Sequence, residues 1–243
     1  MPALLEVAGL RKRFGAIVVA DDVTFSLESG QCLGMIGPNG AGKSSVFNLI
    51  AGTIAPDGGT IRFQGRDLGR LPSHLRARLG IVRAFQIPQP FPHLTVYENV
   101  LAAASFGAGR SGPAAARAAL DVLATMGLAA KSGVLAGRLP LLDRKRLELG
   151  KAVASSAKVL LLDEIAAGLT EPEVEELVGL VRSLKTSHAI IWIEHIPHAL
   201  RAVADRLMVL HFGRNVLEGP PAEVMTSRLV REIYMGFRAD DVA

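Results

Sequence analysis

The sequence contains few of the residues that mark several common classes of protein. It has one cysteine, Cys32, in 243 residues, which excludes an internal disulfide framework and a cysteine-rich metal site. Aromatic residues make up only 5% of the chain, so the core must consist mainly of Leu, Val, Ile and Ala. Cys32 lies in a short apolar segment, and we expect it to be a small buried hydrophobic residue.

Long apolar runs and blocks of one charge are also missing. The longest apolar runs, among them residues 159–162 and 189–193, are far shorter than the ~20 residues that a membrane-spanning helix needs. The net charge of +4 is modest and no run of Lys or Arg dominates, which argues against nucleic acid as a partner. Residues 1–6 lack the basic start and apolar core of a signal peptide. We therefore expect a cytoplasmic protein that reaches a membrane only through a partner.

One segment has a complete phosphate-binding pattern. Residues 37–45 fit G-x-x-x-x-G-K-[ST], in which backbone N–H groups surround a polyphosphate, the lysine contacts outer phosphates and the hydroxyl holds Mg²⁺. Residues 31–36 predict a buried strand before it, and residues 44–51 predict a helix whose N-terminus faces the phosphates. The alternative is a Gly-rich turn that matches by chance. We predict that a nucleotide binds to Gly37, Pro38, Asn39, Gly40, Ala41, Gly42, Lys43, Ser44 and Ser45.

The order of the remaining patterns predicts a single α/β domain with three parts. Residues 23–28 alternate apolar and polar side chains, which predicts a half-exposed strand, and residues 60–63 predict another. Ala-rich helical patterns then replace the strands until residue 155, after which strand and helix alternate again. The predicted parts are residues 1–86 (an antiparallel β subdomain with the phosphate-loop half of the core), 87–155 (a helical subdomain) and 156–243 (the second half of the core and the C-terminal tail).

Local signals predict where several elements begin and end. Thr95 and Glu98 form a capping box, which predicts a helix start, and Thr170 precedes another predicted start with a proline near its first turn. Ala-rich patterns predict helices over residues 114–126 and 143–155. Strands over 207–212 and 215–218 enclose a predicted turn at Gly213-Arg214, which indicates a late hairpin.

Two acidic residues follow the apolar run 159–162. An acidic side chain at the carboxyl end of a parallel strand lies where open α/β sheets bind their ligands. At that place Asp163 can hold Mg²⁺ through water, and Glu164 can act as the base that polarises an attacking water. The alternative is a pair of solvated strand-end acids, which the upstream phosphate loop makes the weaker interpretation.

Three further residues complete a resemblance to a known family. Gln86 ends the segment Arg-Ala-Phe-Gln, His195 follows an apolar strand and Glu194, and Phe14 ends the segment Arg-Lys-Arg-Phe. With the phosphate loop and the two acids, in this order, they resemble the ATP-binding subunit of ABC transporters over essentially the whole chain. The resemblance implies an ATPase with ATP and Mg²⁺ as cofactors. It implies a P-loop NTPase core with a RecA-like mixed sheet, an antiparallel β subdomain and an inserted α-helical subdomain.

The resemblance also implies a role for each of these residues. Glu164 would be the catalytic base, and His195 the switch histidine that contacts the γ-phosphate. Gln86 would be the glutamine of the Q-loop, which ligates Mg²⁺ and senses the membrane subunit, and Phe14 would stack on adenine. A lone histidine after an apolar strand is more often structural, so the ordered set and not the single residue favours function. The implied metal ligands are Ser44, Gln86 and Asp163.

Within the family, the chain is similar to the ATPases of branched-chain amino acid importers. Residues 83–86 match the Arg-x-Phe-Gln Q-loop of that group, and residues 91–100, 163–170 and 233–236 fit it as well. The group also includes importers of urea, short amides and aromatic acids, which stay open as alternatives. The implied location is the cytoplasmic face of the inner (plasma) membrane. The implied partners are a second ABC ATPase subunit in a head-to-tail homo- or heterodimer, integral membrane permease subunits and, indirectly, a periplasmic solute-binding protein.

The apolar residues that follow Gln86 are candidates for contact with a membrane subunit. They could receive a helix of that subunit in a groove beside the Q-loop. The alternative is that they belong to the ordinary core of the helical lobe. The residues concerned are Ile87, Pro88, Phe91 and Leu94.

The chain departs from the family pattern at the signature motif. In head-to-tail pairs, the sequence Leu-Ser-Gly-Gly-Gln of one subunit closes over the ATP of the other, whereas residues 139–143 read Leu-Pro-Leu-Leu-Asp. Pro140 has no hydroxyl for a γ-phosphate, the two leucines add bulk where glycines permit close approach, and Asp143 is expected to repel a phosphate. Either the group tolerates a loose signature, or the ATPase is a heterodimer with unequal sites in which this chain's own loop forms the working site.

Three rival classes agree less well with the sequence. A soluble, non-transport ABC ATPase acting on DNA or ribosomes usually carries two cassettes or a long coiled-coil insertion, and neither fits in 243 residues. A P-loop kinase for a small molecule would not explain Gln86, His195 and the helical insertion together. A lipopolysaccharide-export ATPase is the nearest rival among transporters, but its signature is normally intact.

Overall fold

Strands and helices alternate along most of the chain, and the computed structural model describes residues 3–235. Residues 1–2 and 236–243 of the predicted domain, with Gly236 of the segment 233–236, lie outside the described part. The strands are β1 (Leu5–Phe14), β2 (Ile17–Leu27), β3 (Cys32–Ile36), β4 (Gly58–Phe63), β5 (Arg66–Asp67), β6 (Ile81–Ala84), β7 (Val159–Asp163), β8 (Ala189–Ile193), β9 (Arg206–His211) and β10 (Arg214–Gly219).

The helices follow the first three strands, and several of them form a block in the middle of the described chain. Within residues 3–235, none is long and apolar enough to cross a membrane. One π-helical segment, Ala103–Gly107, directly continues the third helix. The helices are α1 (Lys43–Ala51), α2 (Ser73–Leu79), α3 (Val96–Ala102), α4 (Gly112–Thr125), α5 (Leu141–Ala154), α6 (Glu171–Lys185), α7 (Pro197–Val203), α8 (Pro221–Thr226) and α9 (Arg228–Met235).

The strands form two sheets. The larger has the order β10-β9-β3-β8-β7-β6, in which β10 is antiparallel to β9 and the other neighbours are parallel. The smaller sheet is antiparallel throughout and has the order β2-β1-β4-β5. The mixed core sheet and the separate antiparallel sheet confirm the predicted α/β fold class.

The core lies on both faces of the larger sheet, which explains the uninterrupted apolar runs of its strands. Side chains alternate across each strand, so Leu160 and Leu162 face the cluster formed with α5 and α6. Val159 and Leu161 face the opposite cluster, formed with α1 and the smaller sheet. Cys32 is fully buried, and burial raises the pKa of its thiol to about 12, so the prediction of a small buried residue is confirmed.

The middle block is helical, as the Ala-rich patterns predict. The capping box is present: the Thr95 N–H donates to Glu98 Oε2 at 2.7 Å, and the Glu98 N–H donates to Thr95 Oγ1 at 3.1 Å. The first residue of α5 is Leu141, two residues before the predicted start, because Pro140 occupies its N-cap. A proline suits this position since the first turn of a helix needs no hydrogen bond from its nitrogen.

The late hairpin is present, but its predicted turn is one residue out of place. The turn consists of Phe212 and Gly213, and Arg214 already pairs with His211 as the first residue of β10. Phe212 and Gly213 have φ values of 45° and 75°. A two-residue hairpin turn requires positive φ at both central residues, and this geometry fixes the register.

Candidate functional site

The phosphate loop joins β3 to α1 at the carboxyl edge of the larger sheet. Gly42 precedes α1 with a φ of 105°, and a Cβ there would lie 2.2 Å from the Val19 carbonyl oxygen. A Cβ on Gly37 would lie 2.1 Å from the Leu210 carbonyl oxygen. Both positions require glycine because neighbouring backbone approaches the loop too closely for a side chain. The loop is therefore fixed in shape by the strands around it.

Lys43 places a positive charge inside this loop. Its side chain is buried, and Nζ donates to the carbonyl oxygens of Gly37 at 2.6 Å and Pro38 at 3.1 Å. Burial lowers the pKa of Lys43, and the charges of Glu164 and Asp163 oppose that shift. An ammonium group surrounded by loop backbone at a helix N-terminus can bind the outer phosphates of a nucleotide.

A cavity of about 330 Å³ lies over the loop. This volume is within the usual range for small-molecule sites. Its wall includes residues 39–45, Glu164 and two residues that the sequence analysis missed, Ile17 and Val19. These two lie on one face of β2, since they are two residues apart in a strand. The alternation of β2 was a signal that could have identified them.

Phe14 lies at the edge of this region. It pairs with Ile17 across the β1–β2 turn, and its side chain is half exposed. Lys12 Nζ lies 5.2 Å from the centroid of its ring. Phe14 is not among the residues that line the cavity. Its stacking on adenine therefore stays a prediction.

Asp163 is the last residue of strand β7, whereas Glu164, which follows it, has an unusual backbone conformation. Glu164 has a φ of 47°, which is uncommon for a residue with a side chain. Its N–H donates to the Ile193 carbonyl oxygen at 2.8 Å, which ties it to the end of β8. Strained backbone of this kind is concentrated at functional sites. With this backbone conformation, Glu164 lies in the wall of the cavity beside the phosphate loop.

Glu164, Gln86 and His195 come together although they are far apart in sequence. Gln86 Nε2 donates to Glu164 Oε2 at 2.7 Å, and His195 Nε2 lies 2.9 Å from Glu164 Oε1. The three side chains come from the ends of β7, β6 and β8, which are neighbours in the sheet. The carboxyl ends of parallel strands meet at one edge, which is where open α/β sheets bind ligands.

Asp163 has a different partner. Its side chain is largely buried and forms an ion pair with the Arg83 guanidinium, an interaction that the sequence analysis did not predict. Ser44, Gln86 and Asp163 offer hydroxyl, amide and carboxylate oxygens, which are the donors that Mg²⁺ prefers. Among residues 3–235, no group of three or more His, Cys, Asp or Glu side chains forms a metal site by itself.

The segment after Gln86 is held by α5 through three hydrogen bonds. Lys145 Nζ donates to the Gln86 carbonyl oxygen at 3.1 Å, and Lys151 Nζ donates to the Gln89 carbonyl oxygen at 2.7 Å. The Gln89 N–H donates to Glu148 Oε2 at 3.2 Å. Patterns along the sequence could not reveal these contacts, since they join positions about 60 residues apart.

The apolar residues of this segment are exposed, not packed in the lobe. Ile87 is 74% exposed, Phe91 56% and Leu94 36%, which excludes the interpretation that they are ordinary core residues. Pro88 is half-buried. Exposed apolar side chains grouped beside a functional loop are typical of a contact surface.

The structure corrects one expectation for residues 139–143. Asp143 was expected to present a negative charge to a phosphate, but it is only 3% exposed. Its carboxylate forms ion pairs with Lys131 and, at 3.5 Å, with Arg146. Because a buried charge is stable only when it is paired, Asp143 is an internal structural residue. Of residues 139–143, Pro140 and Leu141 are the ones that are exposed.

A comparison with protein families gives a match to the family described as ABC transporter, over residues 20–167. Two similar proteins are the high-affinity branched-chain amino acid transport ATP-binding proteins BraF of Pseudomonas aeruginosa, 34% identical, and LivG of Salmonella typhimurium, 36% identical. Each alignment covers 96% of this chain and 98% of the relative. The lipopolysaccharide export system ATP-binding protein LptB of Acidithiobacillus ferridurans is 32% identical, with 97% and 98% covered.

Solved structures agree with these sequence matches. The ADP conformation of MJ1267, an ATP-binding cassette of an ABC transporter, has a TM-score of 0.88 at 28% identity and covers 97% of this chain and 100% of that one. A nucleotide-free ATP-binding cassette from an ABC transporter has a TM-score of 0.86 at 28% identity, with 96% and 98% covered. The chain belongs to the ABC transporter family and is one of its ATPase cassettes. The predicted family, P-loop NTPase fold and enzyme class are confirmed.

Proposed function

We propose that the chain is the ATP-hydrolysing subunit that powers an importer of branched-chain or other hydrophobic amino acids. The observation that carries the proposal is the position of Glu164 in the wall of the phosphate-loop cavity, with Gln86 and His195 on its two carboxylate oxygens. The import function is supported by the names of the relatives BraF and LivG, both aligned over nearly the whole chain.

The proposed chemistry follows from the side chains at this edge of the sheet. Residues 37–45 bind the phosphates of ATP through backbone N–H groups, and Lys43 supplies positive charge. Glu164 orients a water toward the γ-phosphate and accepts its proton, while His195 and Gln86 hold the carboxylate. When bound, Mg²⁺ neutralises charge on the β- and γ-phosphates, and its proposed ligands are Ser44, Gln86 and Asp163.

A second ATPase subunit is part of the proposal. The exposed Leu141 and the N-cap Pro140 replace the residues with which the family closes over a partner's ATP. Asp143 is paired inside the chain, so it does not repel a phosphate there. Unequal sites are therefore favoured by Pro140 and Leu141 alone: in the proposed heterodimer, the working site combines this chain's phosphate loop with the partner's intact signature.

The proposal divides two tasks among the three predicted parts. Residues 1–86 and 156–243 supply the nucleotide site of a single domain, and residues 87–155 supply the helical lobe. Ile87, Phe91 and Leu94 are proposed to receive a permease subunit at the cytoplasmic face of the membrane, and the exposure of these apolar side chains supports this role. A periplasmic binding protein would act on the permease and not on this chain.

Other solutes and one other transport task are the alternatives. Import of urea, short amides or aromatic acids would use the same site, since nothing in the nucleotide cavity selects a solute. Lipopolysaccharide export is the second candidate, because LptB aligns over 97% of this chain. The 34–36% identity to BraF and LivG favours amino acid import over the 32% identity to LptB.

Transport by the assembled complex tests the proposal. The chain would be co-produced with the permease subunits, second ATPase and binding protein that we expect to be encoded beside it. The complex would be placed in vesicles with ATP on the side of the ATPases. We expect ATP-dependent leucine uptake that is lost in Lys43→Ala, with uptake of urea, acetamide and benzoate as parallel measurements. Uptake of one of these in place of leucine would reassign the solute. ATPase activity without uptake of any of them would contradict import.

A further inference from the structure

Arg83 connects the two elements that carry the proposed metal ligands. It lies on β6, directly beside β7, with Arg83 opposite Leu161 in the register. Its guanidinium forms the ion pair with Asp163, and Nη1 donates to Asn48 Oδ1 at 2.7 Å. Asn48 lies on α1, one helical turn after Ser44. One side chain therefore joins the acid at the end of β7 to the helix that follows the phosphate loop.

The surroundings strengthen this interaction. The Arg83 and Asp163 side chains are only 14% and 10% exposed. The Arg83 Cζ lies 5.9 Å from the ring centroid of Phe47 and 5.0 Å from that of Phe85. Arg83 Nε is buried and has no hydrogen-bond partner. Water screens the attraction between two such buried charges only weakly. A buried carboxylate needs a counter-charge, and the Arg83 guanidinium supplies it.

We propose that Arg83 is the resident counter-charge of Asp163 and competes with Mg²⁺ for that carboxylate. The inference rests on the proposed Mg²⁺-ATP site. A divalent cation beside Asp163 repels a guanidinium on the same carboxylate, so loading the metal weakens the Arg83 contact. Asn48 and the two aromatic rings can retain the guanidinium when it leaves Asp163. Arg83 thus sets the Mg²⁺ concentration at which the site loads.

Arg83 is also placed to connect metal loading with the segment that follows. Gln86 is three residues after Arg83, and its backbone carbonyl is held by Lys145 of α5. Movement of the guanidinium away from Asp163, while it stays on Asn48, would act on the start of this segment. Arg83 is in this respect a positioning residue, because it acts through Asp163 and not on the reacting atoms.

The Mg²⁺ dependence of nucleotide binding tests the proposal. Binding of a fluorescent ATP analogue would be measured at equilibrium against free Mg²⁺ for the wild type, Arg83→Gln and Arg83→Lys. Arg62→Gln, at an exposed position of β4, is the matched control for loss of one positive charge. We expect Arg83→Gln to lower the Mg²⁺ concentration for half-maximal binding by about tenfold. Arg83→Lys keeps the charge and is expected to remain close to the wild type.

An unchanged or higher Mg²⁺ requirement in a folded Arg83→Gln protein would overturn the inference while leaving the proposed function intact. Absence of nucleotide binding in the wild type would overturn both. A second measurement needs no variant. The unfolding temperature of the nucleotide-free wild type would be measured as a function of Mg²⁺ concentration at constant ionic strength. We expect no saturable stabilisation at millimolar Mg²⁺, because Arg83 already neutralises Asp163. Saturable stabilisation would overturn the inference.

Discussion

Gln86 donates a hydrogen bond from Nε2 to Glu164 Oε2 over 2.7 Å, and this contact ties the base to the start of the exposed apolar segment. His195 Nε2 lies 2.9 Å from the other oxygen of the same carboxylate. Both oxygens of Glu164 are thereby positioned by side chains from neighbouring strands. The position of the base depends on the backbone of residues 86–89, which α5 holds.

Removal of the Gln86 side chain tests this dependence. In Gln86→Ala, Glu164 loses one of its two positioning contacts, and we expect turnover in the assembled ATPase to fall by about 10–100-fold. Because Gln86 is also a proposed Mg²⁺ ligand, more Mg²⁺ should be needed for binding, but at saturating Mg²⁺ the untouched phosphate loop should keep the affinity for ATP close to that of the wild type. Steady-state ATP hydrolysis and equilibrium binding of a fluorescent ATP analogue would be measured together. Wild-type turnover would show that Gln86 does not position the base.

The lowered pKa of Lys43 predicts a pH dependence of ATP binding. Burial in the loop lowers this pKa from 10.5, so above the lowered value the nucleotide-free site holds a neutral amine. Bound phosphates favour the ammonium form and raise the pKa, so ATP binding takes up a proton in this range. We expect affinity for ATP to fall as the pH rises through the lowered pKa, and calorimetry in two buffers should detect the proton. Constant affinity up to pH 10.5 would contradict this expectation.

The paired Asp143 predicts a stability effect at the start of α5. In Asp143→Asn, Lys131 and Arg146 lose their buried counter-charge, and we expect the free energy of unfolding to fall by about 1–3 kcal/mol. Glu176 is a matched control because it also pairs with Arg146 but is 56% exposed. Glu176→Gln should cost no more than about 1 kcal/mol. Equal losses in urea unfolding would show that burial does not determine the strength of these pairs.

For Arg76, which is not among the residues that line the nucleotide cavity, we expect a larger loss of folding stability on substitution. Its buried guanidinium donates to the carbonyl oxygens of Leu49 at 2.8 Å and Ile50 at 3.0 Å, in the last turn of α1. Helix ends leave such carbonyls without partners, so Arg76→Met should lower the free energy of unfolding by about 2–4 kcal/mol. Arg78 lies on the same helix but is exposed. Arg78→Met is expected to unfold at the wild-type urea concentration, and a loss equal to that of Arg76→Met would refute the assignment.

Local sequence patterns were sufficient for many of the elements, but not for β1, α2 or α7. The capping box at Thr95, the apolar run of β7 and the glycine pattern of the phosphate loop each depend on residues a few positions apart. The convergence of Gln86, Glu164 and His195 followed from a resemblance that assigned them to one site.

Most of the contacts that the sequence did not predict join residues that are not local in the chain. Arg83 and Asp163 are 80 positions apart, and Lys131 and Asp143 meet only because the helical lobe folds back on itself. The type of a charged residue does not show whether its side chain faces water or a buried partner. Only the packing of the elements decides between the two, which is why Asp143 was expected to face a phosphate and instead lies inside.

The measurement that tests the central claim most directly is ATP hydrolysis by Glu164→Gln in the assembled transporter, with ATP binding measured on the same protein. Glutamine keeps the size of the side chain but cannot accept a proton. We predict that turnover falls by about 10²–10⁴-fold, while ATP still binds with wild-type affinity. Hydrolysis at the wild-type rate would contradict the assignment of Glu164 as the base and of this cavity as the working site.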